Sequence, residues 1–295
     1  MAKNKDGGMK ARRLTADIIT YIILASMCVI WLLPFFWVIM QSFRDGIGQY
    51  ISTFLPQDYT LNNYKALFTD FSVINFPRMF LNTFFVACCS CVVSTFFVLA
   101  VSSSLSRVKW KMRKPYMNMA MVITLFPGFM SMVAVYFILK ALGMTEGDKI
   151  YLSLIICYSS GAGVGFHVMK GYMDTIPKAL DEAAMIDGCT RWQVFTKVTL
   201  PYMIFVLTPY IITQFTGNIN NFNIIYLLTR GEPLQVGNTA GDTDLLVTWL
   251  YKLTVDQQKF NMGAVIGIFT FVVLAIVSLV TYRSSGSYKD EEAFK

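Results

Sequence analysis

Four asparagines crowd one apolar stretch of the sequence, QFTGNINNFNIIYLLT: Asn218, Asn220, Asn221 and Asn223. Each amide both donates and accepts hydrogen bonds, and Phe215, Phe222 and Tyr226 stand among them. The chemistry this mixture offers is non-covalent: amides hydrogen-bond the polar groups of a solute, and aromatic faces cover its apolar surface. Asparagine is costly in lipid, so the four should face a cavity or a partner. A plainer role fits the same residues, in which they bond helix to helix or cap a helix broken near Gly217.

Two other groups of residues could do chemistry. The stretch DEAAMIDGCTRWQVFTKVTLP, Asp181 to Pro201, is charged, breaks at a glycine and ends at a proline, with long apolar runs on both sides. CCSC brings Cys88, Cys89 and Cys91 together, but the single histidine, His167, falls in a different apolar run. No metal site is therefore expected. Small side chains packing helix on helix account for the cysteines better. Only Cys189 of the six cysteines lies outside the apolar runs, so no disulfide framework is implied. No catalytic constellation is found. No G-x-x-x-x-G-K-[ST] loop is present, so any ATP handled in that mode belongs to a partner.

The elements that must position these residues are membrane spans. The chain is 55% hydrophobic and only 15% charged, with a mean hydropathy of +0.51. Soluble domains carry about 25% charge. Six runs are long enough to cross a hydrocarbon core, which takes about 20 apolar residues: 18–40, 81–105, 115–139, 150–169, 201–228 and 262–282. None alternates with period 2, so the spans should be helices and the fold an all-α polytopic membrane protein. The first run is longer than a signal core and lacks a small-residue cleavage site, which predicts a retained helix. Gly263 and Gly267 form GxxxG in the last run. Gly161, Gly163 and Gly165 thin the fourth; both patterns predict close helix packing.

Basic residues sort by loop. Lys3, Lys5, Lys10, Arg12 and Arg13 precede the first span, and Arg107, Lys109, Lys111, Arg113 and Lys114 follow the second. Lys170, Lys178, Arg191 and Lys197 follow the fourth, and Arg283, Lys289 and Lys295 the last. These are 17 of the 25 lysines and arginines, and the opposite loops hold the other 8. The positive-inside rule makes the richer side cytoplasmic, with both termini and Asp181–Pro201 upon it. This predicts a cytoplasmic N-terminus (1–17), a transmembrane domain (18–282) with a cytoplasmic loop at 170–200, and a cytoplasmic tail (283–295). The net charge of +7 follows from that arrangement and calls for no nucleic-acid partner.

Within the loop, Pro177 suits the first turn of a short helix, and Leu180, Ala183 and Ala184 share one face. Gly188 is a natural left-handed stop, and Thr190 with Gln193 fits a capping box that restarts a helix. Two readings remain: an amphipathic connector lying on the membrane, or a rigid knob fitting another protein, with Trp192 and Phe195 as anchors. A DNA-reading helix-turn-helix has a similar outline, but this segment is tethered to spans at both ends.

In order and spacing, EAAMIDGCTRWQVFTKVTLP resembles the EAA loop of ABC importer permeases. Glu182, Ala183, Ala184, Asp187, Gly188, Phe195, Val198, Leu200 and Pro201 match that pattern. TLNNYKALF, LNTFFVA, SSLSRVKWKMRK, FPGFMSMVAVYFILKALGM and NNFNIIYLLT are similar to the oligosaccharide branch, the maltose/maltodextrin-type permeases. The resemblance covers almost the whole chain. The length and short N-terminus look like the smaller permease of a pair, while the C-terminal third looks more like the larger one.

The resemblance implies six transmembrane helices in a bacterial cytoplasmic membrane and a cytoplasmic coupling helix seated in a cleft of an ATPase. Glu182 would pair there with a basic residue, Gly188 would set the angle between the two helices, and Ala183, Ala184, Asp187, Arg191, Trp192 and Phe195 would complete the contact. Implied partners are a second permease forming a heterodimer, two cytoplasmic ABC ATPase chains that hold ATP and Mg, and an extracellular or periplasmic sugar-binding protein. This chain would bind no cofactor and catalyse no reaction. The NNF stretch is similar to one in the sugar site of the larger maltose-type subunit. That likeness implies a substrate path along Asn218, Asn220, Asn221, Phe222, Asn223 and Tyr226. An ion-coupled secondary transporter is the rival class. Such proteins hold acidic residues at membrane depth, whereas all 18 here fall in loops, tails or span edges. An ABC permease for another small solute is the other alternative.

Overall fold

The computed structural model describes residues 5–46, 53–69, 75–126, 128–147, 149–160, 165–233, 240–241 and 243–285. Gly161, Gly163, the first four residues and the tail beyond 285 lie outside them. Helices in chain order are α1 (Lys5–Ser42), α2 (Asn62–Thr69), α3 (Phe76–Arg107), α4 (Arg113–Thr124), α5 (Gly128–Ala141), α6 (Lys149–Ser160) and α7 (Gly165–Thr175). Then come α8 (Lys178–Ile186), α9 (Arg191–Val194), a π-helical turn (Phe195–Thr199), α10 (Leu200–Ile219), α11 (Phe222–Leu228), α12 (Leu246–Tyr251), a second π-turn (Lys252–Asp256) and α13 (Phe260–Arg283). The expected all-α class holds among the described residues, where extended structure amounts to isolated bridges such as that between Arg44 and Tyr59.

Three helices are single apolar spans: residues 13–42 of α1, α3 and α13. Two further spans are bent pairs. α6 and α7 meet at 48°, and the segments Arg191–Ile204 and Val206–Ile219 meet at 70°. The second bend has a covalent cause. Pro209 lies inside α10, and a proline removes the N–H that would bond the carbonyl four residues earlier, here at Phe205. Among the described residues the six apolar runs thus appear as three single spans, two bent pairs and one pair of shorter helices. The 115–139 run is two helices, α4 and α5, and the 201–228 run stops at Ile219 and restarts at Phe222. Hydropathy sums over such breaks without registering them.

The chain forms two compact units, one of residues 1–67 with 253–268 and one of residues 68–252 with 269–295. In the first, α1 leaves its C-terminal carbonyls without intrahelical partners, and two asparagine side chains serve that end. Asn63 Nδ2 donates to the carbonyls of Ser42 (3.0 Å) and Arg44 (2.8 Å). Asn261 Nδ2 donates to those of Arg44 (3.1 Å) and Gly46 (2.9 Å). The apolar stretch of α1 buries nothing within the chain, as a helix facing lipid or another subunit would. Gly267 also meets open space, so the glycine pair of the last span draws no neighbour to itself at that position.

The second unit is built around α3. Its buried residues Thr83, Ala87, Ser90, Cys91, Ser94, Val98, Ser102 and Leu105 recur at three- and four-residue intervals, which puts small side chains along one face. Neighbouring helices can approach that face closely. One core joins Val98 and Leu105 to Phe166, Met169, Met173, Met203 and Leu207 of α7 and α10. A second joins Val86 to Leu139, Leu154, Tyr158, Ile225 and Leu228 of α5, α6 and α11. A third joins Ala87 and Cys91 to Phe215, Ile219 and Leu274 of α10 and α13. Cys91 thus sits in a helix seam, its thiol 3.6 Å from the carbonyl of Ile211.

Gly165 performs the close approach expected of it. A Cβ there would lie 2.6 Å from Tyr210 Cε2, and the Tyr210 hydroxyl is held by Ser94 at 2.7 Å. Gly165→Ala should therefore destabilise the protein by about 1–3 kcal/mol through overpacking. Gly171, on the same helix, faces open space, so Gly171→Ala should stabilise by about 0.5–1 kcal/mol. Thermal melting of the two purified variants in detergent checks this; equal midpoints would contradict the close contact.

Candidate functional site

The polar loop folds as two short helices meeting at a glycine. Pro177 is the N-cap of α8, one residue before its first turn. At the far end, Gly188 has φ +89°. Its N–H donates to the carbonyl of Met185 (3.1 Å), and that of Cys189 donates to Ala184 (3.0 Å). This pair of bonds is the Schellman stop. The capping box also forms: Thr190 Oγ1 accepts the N–H of Gln193 at 3.3 Å, and Gln193 Oε1 accepts the N–H of Thr190 at 2.8 Å. α9 then runs through the π-turn into α10, so the second helix of the loop is continuous with a membrane helix.

One side of this elbow is anchored and the other bare. Asp181 is buried, and its Oδ2 lies 2.8 Å from Arg107 Nε at the end of α3. Thr199 Oγ1 donates to its other oxygen at 3.3 Å. Val194 is buried, and Phe195 packs half-buried on the core of α3, α7 and α10. Glu182, Ala183, Asp187, Gly188 and Arg191 are exposed, and Ala184 is half-buried. Ile186 is 85% and Trp192 71% exposed. Of the expected loop residues, Phe195 alone turns inward, with its ring 5.8 Å from that of Trp192. Asp181, Arg107 and Thr199 were not expected from the sequence. Arg107 and Asp181 lie 74 residues apart, and no local pattern links them.

The asparagine stretch borders a cavity of about 610 Å³ between α4, α5, α6, α10 and α11. Asn218 and Asn221 line it with Gln214, Thr213, Tyr158 and Ser131. Asn218 is buried, and its oxygen accepts from Gln214 Nε2 at 3.5 Å, while its own Nδ2 has no partner. Asn221 begins α11, and its carbonyl accepts from the Tyr158 hydroxyl at 2.8 Å. Asn221 is the N-cap residue of α11, but its side chain makes no capping hydrogen bond. Asn220 does follow the plainer reading, since it ends α10 and its side chain donates to the carbonyl of Thr216 at 3.3 Å. Asn223 is exposed.

Phe222 and Tyr226 do not line the cavity. They stack on each other at 4.7 Å and pack on Tyr251 at 5.0 and 5.6 Å, because helical phase turns positions 222 and 226 away from 221 and 224. Gln214, four residues before Asn218, and Tyr158 are cavity residues the sequence reading missed. The first was discoverable as an i, i+4 amide pair; the second comes from another span. Among the described residues no three His, Cys, Asp or Glu side chains gather to hold a metal.

Residues 96–285 match the family model described as "Binding-protein-dependent transport system inner membrane component". The chain is 40% identical over 149 residues to the galactooligosaccharides transport system permease protein GanP of Bacillus subtilis, covering 50% of this chain and 36% of GanP. It is 38% identical over 126 residues to the maltodextrin transport system permease protein MdxF of the same organism, covering 42% and 29%. The chain thus spans about a third of the length of these relatives. Its fold is similar to a chain in the crystal structure of a bacterial ABC transporter involved in the import of the acidic polysaccharide alginate. That likeness has a TM-score of 0.75 at 20% identity and covers 93% of this chain and 97% of the other.

Proposed function

The chain belongs to the family of inner membrane components of binding-protein-dependent transport systems, and from that premise we propose that it is a permease subunit of an ATP-driven ABC importer for oligosaccharides. The observation that carries the proposal is the glycine-cornered elbow. It is pinned to the membrane helices on one side and bares Glu182, Ala183 and Trp192 on the other. In this reading the bare side seats in a cytoplasmic ATPase. Glu182 pairs with a basic residue there, Gly188 sets the angle of the elbow, and Ala183, Ala184, Asp187, Arg191 and Trp192 complete the contact, with Phe195 supporting it from within. Two ATPase chains hold ATP and Mg, a second permease completes the path, and an external binding protein delivers the sugar. ATP binding and hydrolysis bias the permease pair between outward- and inward-open states; this chain makes and breaks no covalent bond. The bilayer is the cytoplasmic membrane, with both termini inside, as the basic loops favour.

The solute we propose is a neutral oligosaccharide of the maltodextrin or galactooligosaccharide kind. Among the described residues the cavity lining carries amides and hydroxyls and no charged side chain, so an acidic sugar would be desolvated there without compensation. Asn221 and Asn218 are placed to bond sugar hydroxyls. Asn221→Leu removes one such bond, which contributes about 0.5–1.5 kcal/mol. Sugar-stimulated ATPase activity of the purified complex should therefore weaken roughly two- to tenfold in apparent sugar affinity, with assembly intact. An unchanged sugar response, or a complex that falls apart, would assign Asn221 to packing instead. Asn221→Cys adds an independent check: a water-soluble thiol reagent should label it, and sugar should slow the labelling.

A further inference from the structure

Two carboxylates flank the joint at which the chain leaves α7 and enters α8, and they hold two consecutive residues at the end of α3. Ser106 Oγ donates to Asp174 Oδ1 at 2.6 Å. Arg107 Nε lies 2.8 Å from Asp181 Oδ2. Both terminal nitrogens of Arg107 donate to the carbonyl of Ile176, each at 3.3 Å, within the joint itself. Asp174 is further tied to Lys170 at 2.5 Å and approached by Arg113 at 3.7 Å. Asp181 reaches across to Thr199, where the loop re-enters the membrane. The Arg107 and Asp181 side chains are only 17% and 12% exposed.

We infer that Arg107 is a positioning residue that ties the coupling loop to α3, so that displacement of the loop moves α3 and, through it, the cavity wall. The inference rests on the permease reading above. An apolar contact at this place would let the helices slide past one another. A desolvated ion pair with a forked second bond resists sliding, because parting it leaves two uncompensated buried charges. The route onward is continuous: Val86 of α3 shares one core with Tyr158 and Ile225, and Tyr158 both lines the cavity and holds the Asn221 carbonyl. Glu182, one residue on from Asp181, stays free for the ATPase because successive helical positions diverge by about 100°.

The test uses the complex purified through a tag on this chain and reconstituted in liposomes, with sugar transported per ATP hydrolysed as the readout. Arg107→Gln should lower that ratio by about tenfold or more while ATP hydrolysis persists. Arg107→Lys, which keeps the charge but loses the fork, should fall between Arg107→Gln and the parent. Asp181→Asn, which keeps the acceptor for Thr199, should reproduce the uncoupling. An unchanged ratio, a proportional loss of hydrolysis and transport together, or failure of both neutral variants to assemble would overturn the inference, the last by assigning the pair to folding. Absence of any ATPase on the parent chain would instead count against the permease reading before a variant is made.

Discussion

Glu182→Lys is expected to abolish sugar uptake while the chain still reaches the membrane. Glu182 is exposed on α8 beside the buried, paired Asp181, so its charge is spent on nothing within this chain's core. Placed against a basic residue of an ATPase, the reversed charge repels where the native one attracts. Losing a buried interfacial pair costs about 2–5 kcal/mol, and reversal costs more. That is at least a thirtyfold loss of effective coupling at the lower bound. Glu182→Gln, which removes charge without reversing it, should retain partial uptake. Uptake assays at matched membrane levels decide the matter, and a reversed variant that transports like the parent would remove Glu182 from the interface.

Gly188→Val should reduce uptake about tenfold. The residue has φ +89°, and a Cβ added to it would meet nothing within 4 Å. Any effect therefore comes from the backbone and not from a clash. A β-branched residue in the left-handed region costs about 1–3 kcal/mol, and the chain can relieve it only by opening the Schellman stop at Met185 and Ala184. That would change the angle between the anchored and bare parts of the elbow. Gly188→Asn, which tolerates the same conformation, should keep most activity. Equal uptake by the valine and asparagine variants would show that the angle at this corner does not matter to transport.

What could be read in the sequence was whatever is encoded locally. The Gly188 stop, the Thr190–Gln193 box and the short helix before them depend on residues within one or two turns, and all three are present in the structure. The apolar runs 18–40, 81–105 and 262–282 located the three single spans for the same reason. Features set by phase or by distant partners were not legible. Asparagines 218 and 221 reach the cavity and Phe222 and Tyr226 turn from it because the helix is interrupted after Ile219 and restarts at Phe222 with its own phase. Asp181 has its partner, Arg107, on another span 74 residues away, beyond the reach of any local pattern. The Pro209 bend was available from the sequence, since a proline eight residues after Pro201 within one apolar run is a kink signal. Averaged hydropathy hid it.

The most direct test of the account is to purify this chain from its own membrane through an affinity tag and assay what comes with it. A second permease and an ATPase should co-purify. The complex, reconstituted with its external binding protein, should take up a neutral oligosaccharide only when ATP is supplied, with hydrolysis stimulated by that sugar. Sugar uptake by the chain alone, driven by an ion gradient with no ATPase bound and no response to ATP, would contradict it.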